Sequence, residues 1–522
     1  MSDDQICDLF QNADLWLPDN GVAAGTGAGA GPGPGTAPAF AGAGTTPTLP
    51  QLQLGSDVEI ADCVSRVLLR DLGEVIFSEG HFWYYAESHW RAIENHELRR
   101  VVHRYDGAWP AGGRPVKLNK SRIDSVLNEM SAMLTRKDFF AEAPVGINCA
   151  SGFIAFSADG TPRVLPHQPE HRCRHVLSAF FKEAWGSDDE ELFGLSLAIG
   201  DLIGQLLEGV FLGDPDAQEK RQLLAEIAGA AALGYRSKSW EPKAVILEGK
   251  TAENGKSQVL DLFRGLLPSD AIASIPAAKM GDQHYLVGLV GKHLNASDEL
   301  SGAEAIASEV FKAVVTGEPV TGRDVYRSAI PFRSVAQNVF ATNTLPSFKG
   351  GMDRGVQRRL LVLTFNRTIP VGERVANIGM RVAEEEADIL LTWAVAGASR
   401  LIRQRAFTIP TSSKAALRDW LLGADPVLAW NQTCVEELDS ANADKATIKS
   451  ADAHAEFMRW AKHEGFRENT LPAVSGFVQR LRANRPAIGL KHTNHGNFLT
   501  GIRIISPEGG ADGTDPFPGR PR

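Results

Sequence analysis

The stretch AVILEGKTAENGKSQVLDLF, residues 244–263, constrains this chain more than any other. An apolar run the length of a buried strand leads into a glycine-containing loop. Apolar residues at helical spacing follow from Ser257. In a strand–loop–helix of this kind, loop N–H groups gather at a helix N-terminus, where they can cradle phosphate oxygens. Gly249, Asn254 and Gly255 would shape the loop. Lys256 would supply a point charge for the β- and γ-phosphates, and the Ser257 hydroxyl a ligand for Mg²⁺. Five residues separate Gly249 from Gly255, one more than the usual spacing. The motif predicts nucleotide binding on an α/β fold.

A phosphate loop needs a carboxylate from another strand, and Asp298-Glu299 follows Lys256 by 42 residues. Asp298 is the candidate for the metal shell and Glu299 for polarising the attacking water. Next, the apolar run 335–342 ends in Thr342-Asn343, and Asn343 at a strand tip can bond a lytic water or a γ-phosphate. Arg358-Arg359 then precedes the apolar run LLVLTF. An arginine so placed can reach a neighbouring subunit's phosphate, and spacing does not choose between the two.

At 522 residues the chain has room for about three or four domains. Residues 21–50 hold 22 Gly, Ala or Pro in 30 positions, a composition expected to stay a flexible tail. Residues 1–55 carry five Asp and no Lys or Arg. With the C-terminal stretch 507–522 set aside as well, only −3 of the net charge of −9 remains for residues 56–506. Global acidity therefore excludes a protein coated in basic charge, not a local DNA channel. Within the acidic leader, Leu9, Phe10, Leu15, Trp16 and Leu17 form an apolar cluster that could serve as a partner-docking peptide. Five Cys without a C-x-x-C pair point to the cytoplasm. Asp201, Gln205 and Glu208 interrupt the greasiest stretch, 192–213, which reads as a core helix and not a membrane span.

Helices are expected at 57–72, 190–212, 217–233, 382–405 and 473–484. Strands are expected around the Ser-Glu-Gly turn of 74–92 and as a hairpin over 147–166. Residues 406–424, with Pro410, read as a connector, and 425–505 as a small α/β unit. His167, His171, Cys173 and His175 have donor spacing compatible with zinc. Pro169 interrupts them and no second ligand pair follows, so ordinary histidines are the better reading. Residues 475–503 carry five cations and no acid, which favours DNA contact through Arg480, Arg482 and Lys491.

Taken in order, NGKS (254–257), LVGKHLNASDE (289–299), ATNTLP (341–346) and RRLLVLTF (358–365) resemble superfamily 3 helicases of the phage, plasmid and poxvirus primase-helicase type. The resemblance is strongest over 244–370. It implies an AAA+-like ATPase core, a mostly helical N-terminal region and a C-terminal winged-helix-like domain. The implied division is a tail at 1–55, an N-terminal region at 56–235, the ATPase at 236–405, the appendage at 425–506 and a tail at 507–522. It further implies a homo-oligomer, a hexameric ring hydrolysing ATP with Mg²⁺ at subunit interfaces and moving 3′ to 5′ on single-stranded or forked DNA. Arg358 or Arg359 would be the finger, and Lys312, Arg323 and Arg327 would grip DNA phosphates. Residues 1–56 are too few for the primase domain many relatives carry. No primase activity is therefore expected from this chain, and a separate primase and other replication proteins are candidate partners. The alternative reading is a replication initiator or loader whose ATPase acts as a switch.

Overall fold

The computed structural model describes residues 51–181, 201–234, 240–249, 251–298, 304–323, 329–349, 352–438, 447–466, 468 and 471–505. Residues 1–50, the second predicted tail, residues 190–200 of one expected helix, Glu299 and Arg327 lie outside the described residues, whereas 51–55 of the first expected tail are packed, with Leu52 buried in the core. The chain divides into two compact units.

The first unit holds described residues 51–157 and 162–181, with Ile330–Phe332. Helix α1 (Asp57–Leu72) starts where the Ser56 hydroxyl accepts from the Glu59 N–H at 3.2 Å. The Glu59 carboxylate reaches back to the Leu54 and Gly55 N–H groups. The stripe Ile60, Val64, Val67 and Leu68 is buried with residues of α2 (Asn95–His103) and α3 (Lys120–Leu134), including Val101, Val102, Val126 and Met130. Each such side chain contributes roughly 1.5–3 kcal/mol by leaving water.

This region is less helical than expected. Strands β1 (Val75–Ser78), β2 (His81–Tyr85) and β3 (Trp90–Ala92) form one antiparallel sheet. The expected hairpin over 147–166 is a three-stranded sheet of β4 (Gly146–Cys149), β5 (Gly152–Phe156) and β6 (Pro162–Leu165). Strands of three to five residues leave only a faint alternation in a sequence, whereas a sixteen-residue helix is conspicuous. An aromatic cage holds one charge: the Arg174 guanidinium lies 4.0 Å from the Phe140 ring centre, over Trp83, and pairs with Glu79 at 2.6 Å.

The second unit contains helices α4 (Asp201–Phe211) and α5 (Ala217–Leu233), then strand β7 (Ala244–Glu248) and helix α6 (Lys256–Leu266). Strands β8 (Ile272–Ala273) and β9 (Leu294–Ser297) follow, then β10 (Ile306–Ala307), helix α7 (Ser308–Thr316) and β11 (Pro319–Gly322); of β12 (Ile330–Arg333) only Arg333 belongs to this unit. Next come β13 (Gln337–Thr342), β14 (Phe348–Lys349) and β15 (Leu360–Thr364). The main sheet is parallel, in the order β15-β7-β13-β9-β8. All six residues of β13 are buried, as a parallel strand covered on both faces requires. Val339 pairs with Val245 on one side and Ala296 on the other, so β7, β13 and β9 end at nearly one level.

Two expectations change here. The expected helix 382–405 is two helices, α8 (Ile378–Glu385) and α9 (Ala387–Gln404), separated at Glu386. The Glu386 carboxylate accepts from the Leu202 and Ile203 N–H groups at 2.9 and 3.0 Å, capping α4. The expected connector 406–424 is helix α10 (Thr411–Ala424) for most of its length. Pro410 starts this helix instead of breaking it, and the Thr411 and Ser412 N–H groups find Glu219 and Asp216. Helices α5 and α9 pack backbone to backbone. A Cβ on Gly397 would lie 1.9 Å from the Ala225 carbonyl oxygen, and one on Gly229 would lie 2.3 Å from the Ala398 nitrogen.

The C-terminal module comprises α11 (Pro426–Cys434), β16 (Val435–Glu437), β17 (Thr447–Lys449), α12 (Ser450–His463), α13 (Val474–Asn484), β18 (Gly489–Thr493), β19 (Gly496–Thr500) and β20 (Ile502–Ile504). Its three helices enclose Trp430, Phe457 and Phe477. An antiparallel sheet β17-β19-β18 lies beside them, and β16 pairs with β20. Among the described residues no helix is long and apolar enough to cross a membrane.

Candidate functional site

The site begins where β7 ends. The Gly249 N–H donates to the Thr342 carbonyl on β13 at 3.2 Å, and the loop then runs to Gly255. Gly255 has φ 85° and immediately precedes α6, so the turn into the helix uses a left-handed backbone that glycine adopts without strain. Gly249 leaves room for two side chains of the loop. A Cβ there would sit 2.1 Å from Asn254 Nδ2 and 2.6 Å from Lys256 Nζ, inside both groups. The loop's far side is fixed by the Ile369 N–H on the Glu253 carbonyl and by Arg374, which pairs with the Glu253 carboxylate at 2.5 Å.

Lys256 is buried, with 8% exposure, yet its hydrogen-bond partners are all uncharged. Its ammonium donates to Gly249 O at 3.2 Å, Asn254 Oδ1 at 3.1 Å and Asn343 Oδ1 at 3.0 Å. Asn254 is oriented in turn by its own bond to Thr251 O. Burial pulls the Lys256 ammonium below the usual lysine range. A cation held by neutral oxygens at a helix N-terminus is arranged to receive an anion. The structure thus brings the predicted loop lysine and the predicted strand-tip asparagine into direct contact. Ser257 is exposed in the first turn of α6.

Asp298 lies just past β9, and its side chain is half exposed. Both its oxygens are taken by Arg264 of α6, at 2.6 and 3.2 Å. The same guanidinium holds Asp261 at 3.1 Å and Ala296 O at 3.1 Å. Burial works against the Arg264 charge, but its bonds to Asp298 and Asp261 outweigh burial and raise its pKa. Sequence reasoning missed Arg264. The only signal was an arginine three positions after Asp261 on the helix that starts at Lys256.

The structure separates the two arginines that spacing left equivalent. Arg359 is buried, donates to Gly355 O at 2.7 Å, and is pushed below the usual arginine range by burial and by Arg358. Arg358 is exposed. Lys312 is engaged with Glu309 at 2.9 Å and Asp353 at 3.1 Å, whereas Arg323 is exposed just past β11. In the C-terminal module Lys491 is exposed on β18, Arg480 is half-buried on α13, and Arg482 donates to Ile488 O. The histidine-rich run forms no single cluster. His167 bonds Asn148, His171 stacks on Phe153 at 3.9 Å, and burial pushes the Cys173 thiol up to about 12.

A family model described as a family of unknown function, DUF5906, matches residues 247–359. No curated protein matches. Solved structures of the NrS-1 C-terminal region are similar to this chain. An apo A form is 13% identical, with a TM-score of 0.41, covering 84% of this chain and 97% of that one. A second apo structure of the region spanning 305–718 is 12% identical, with a TM-score of 0.42, covering 85% and 98%.

Proposed function

We propose that this chain is an ATP-dependent DNA helicase of the superfamily 3 type, working as a homo-oligomeric ring. The observation that carries the reading is the buried Lys256 ammonium, held by three neutral oxygens and met by Asn343 from the neighbouring strand. That arrangement fits the β- and γ-phosphates of a nucleotide. The residues present also fit Mg²⁺, with the exposed Ser257 hydroxyl and the Asp298 carboxylate as holders. The metal would neutralise phosphate charge. In this reading Lys256 binds and orients the phosphates, Asn343 positions the attacking water, and Glu299 takes its proton. The exposed Arg358 is the better finger, because Arg359 is spent on Gly355.

The C-terminal module supports a DNA-binding role. Helix α11, strand β17, helices α12 and α13 and strands β18 and β19, with sheet order β17-β19-β18 and the pair β16-β20 in addition, fit a winged-helix reading. The β18–β19 hairpin would be the wing, with Lys491 on it. Arg323 is the best placed of the predicted channel residues. Lys312 is a weaker candidate, since Glu309 and Asp353 already neutralise it.

The test is ATP hydrolysis with and without single-stranded DNA, beside unwinding of forked duplexes of both polarities. DNA-stimulated hydrolysis with unwinding, both lost in Lys256→Ala, is the expected result. Hydrolysis without unwinding on either fork points to the initiator or loader alternative. Full turnover in Lys256→Ala overturns the site.

A further inference from the structure

A cleft of 750 Å³ lies between β15 and α10. Leu361, Ile409 and Leu417 line it with apolar surface, and Ile409 is 39% exposed. Lys243, Arg354, Arg358 and Lys414 stand around it, and no carboxylate is among the lining residues. Lys243 has Glu241 at 3.7 Å, but Arg354, Arg358 and Lys414 form no ion pair with any described residue. Three unpaired cations around an apolar floor suit a ligand that is both acidic and greasy. Nucleic acid fits less well, because no aromatic side chain lines the cleft to stack a base.

One segment of this chain has the matching chemistry. In Asp8–Asp19, DLFQNADLWLPD, three Asp alternate with Leu9, Phe10, Leu15, Trp16 and Leu17, and there is no cation. A Gly/Ala/Pro-rich stretch, 21–50, joins it to the rest of the chain. We infer that the acidic, aromatic segment Asp8–Asp19 docks in its own chain's cleft, its carboxylates against Arg354, Arg358 and Lys414 and its apolar side chains on Leu361, Ile409 and Leu417. Docking stands independently of the ATPase reading. Its consequence rests on that reading: the docked segment covers Arg358 and competes with a neighbouring subunit for it.

Cys7 makes the test direct. Cys63, Cys149 and Cys434 are buried, and burial pushes the Cys173 thiol up to about 12, so at neutral pH a thiol reagent favours Cys7. A photoreactive maleimide on Cys7 of the full chain, irradiated without nucleotide and mapped by mass spectrometry, should cross-link to residues 409–417. The yield should fall at least tenfold in Lys414→Glu and in Trp16→Ala, and recover when Asp14→Lys is combined with Lys414→Glu. Trp16→Ala alters no residue of the cleft, so its effect cannot be attributed to a misfolded cleft. Several results would overturn the inference. They are cross-links elsewhere, yields indifferent to both substitutions, cross-links only between isotopically distinct copies, or displacement by single-stranded DNA without dependence on Trp16. None of these readouts needs nucleotide, so failure here is distinguishable from failure of the ATPase proposal.

Discussion

Glu226 gives the second unit a pH dependence whose size can be worked out. Its carboxylate is completely buried on α5 and accepts from Arg400 Nε at 3.0 Å and from the Thr408 N–H and hydroxyl at 2.6 Å each. Burial pushes the group up to about 6 from its ordinary 4.5, with the Thr408 and Arg400 bonds pulling part of the way back. A carboxyl whose folded pKa is raised stabilises the fold fully below its unfolded value and loses that contribution as pH rises through the folded value. At about 1.4 kcal/mol per pH unit, the loss is about 2 kcal/mol, nearly all of it between pH 4 and 7. Glu226→Gln keeps the volume and can still accept from Thr408, but it cannot ionise. The unfolding free energy of the native chain should therefore fall relative to the variant by about 2 kcal/mol across that range. Urea titrations in matched buffers, followed by tryptophan fluorescence with Trp393 buried on α9, measure the difference, and other titrating groups cancel. Parallel stability curves for the two chains from pH 4 to 7 would refute the reasoning.

Three further outcomes follow from other parts of the structure. Lys256→Met should abolish the stabilisation that Mg²⁺-nucleotide gives the native chain, about 2.7 kcal/mol at a hundredfold excess over Kd, read as a melting shift of a few degrees. Gly397→Ala should cost about 2–3 kcal/mol in urea unfolding, because its methyl has no space against Ala225 and α5 must move away. Lys491→Glu should weaken forked-DNA binding about tenfold by fluorescence anisotropy and lower its salt dependence, whereas Arg503→Ala, whose arginine already pairs with Glu436, should change both little.

What could be read from the sequence was what repeats or sits in contiguous motifs. Helix α1 has the predicted bounds because its stripe and the Ser56 cap coincide. The β7–loop–α6 unit is legible because one segment encodes strand, turn and helix. Contacts between distant segments were not legible. The break at Glu386 depends on α4, 184 residues away, and Pro410 begins a helix because Asp216 and Glu219 wait for its first N–H groups. Arg358 and Arg359 look alike in the chain and differ only because Gly355 takes one of them.

The same limit hid Arg264, which bears on how the site would load. The phosphate-binding lysine and the metal-holding carboxylate already have intramolecular partners: Lys256 holds Asn343, and Asp298 holds Arg264. In the proposed cycle, Lys256 would exchange Asn343 for phosphate, and Asp298 would give up Arg264 to hold Mg²⁺. Arg264 is thus a standing competitor for the Asp298 carboxylate, and it leaves Asp261 as its fallback partner. A unit charge at contact distance is worth about 1 kcal/mol in bulk water and more at a protein surface, so removing the competing arginine is worth on the order of tenfold in affinity. Arg264→Gln should therefore lower the Mg²⁺ concentration needed for half-maximal binding of a fluorescent ADP analogue about tenfold. The fold should lose only about 1 kcal/mol, because the pair is half exposed on the Asp298 side. A rise in the Mg²⁺ requirement would show instead that Arg264 holds Asp298 in the orientation the metal needs, making it a positioning residue and not a competitor.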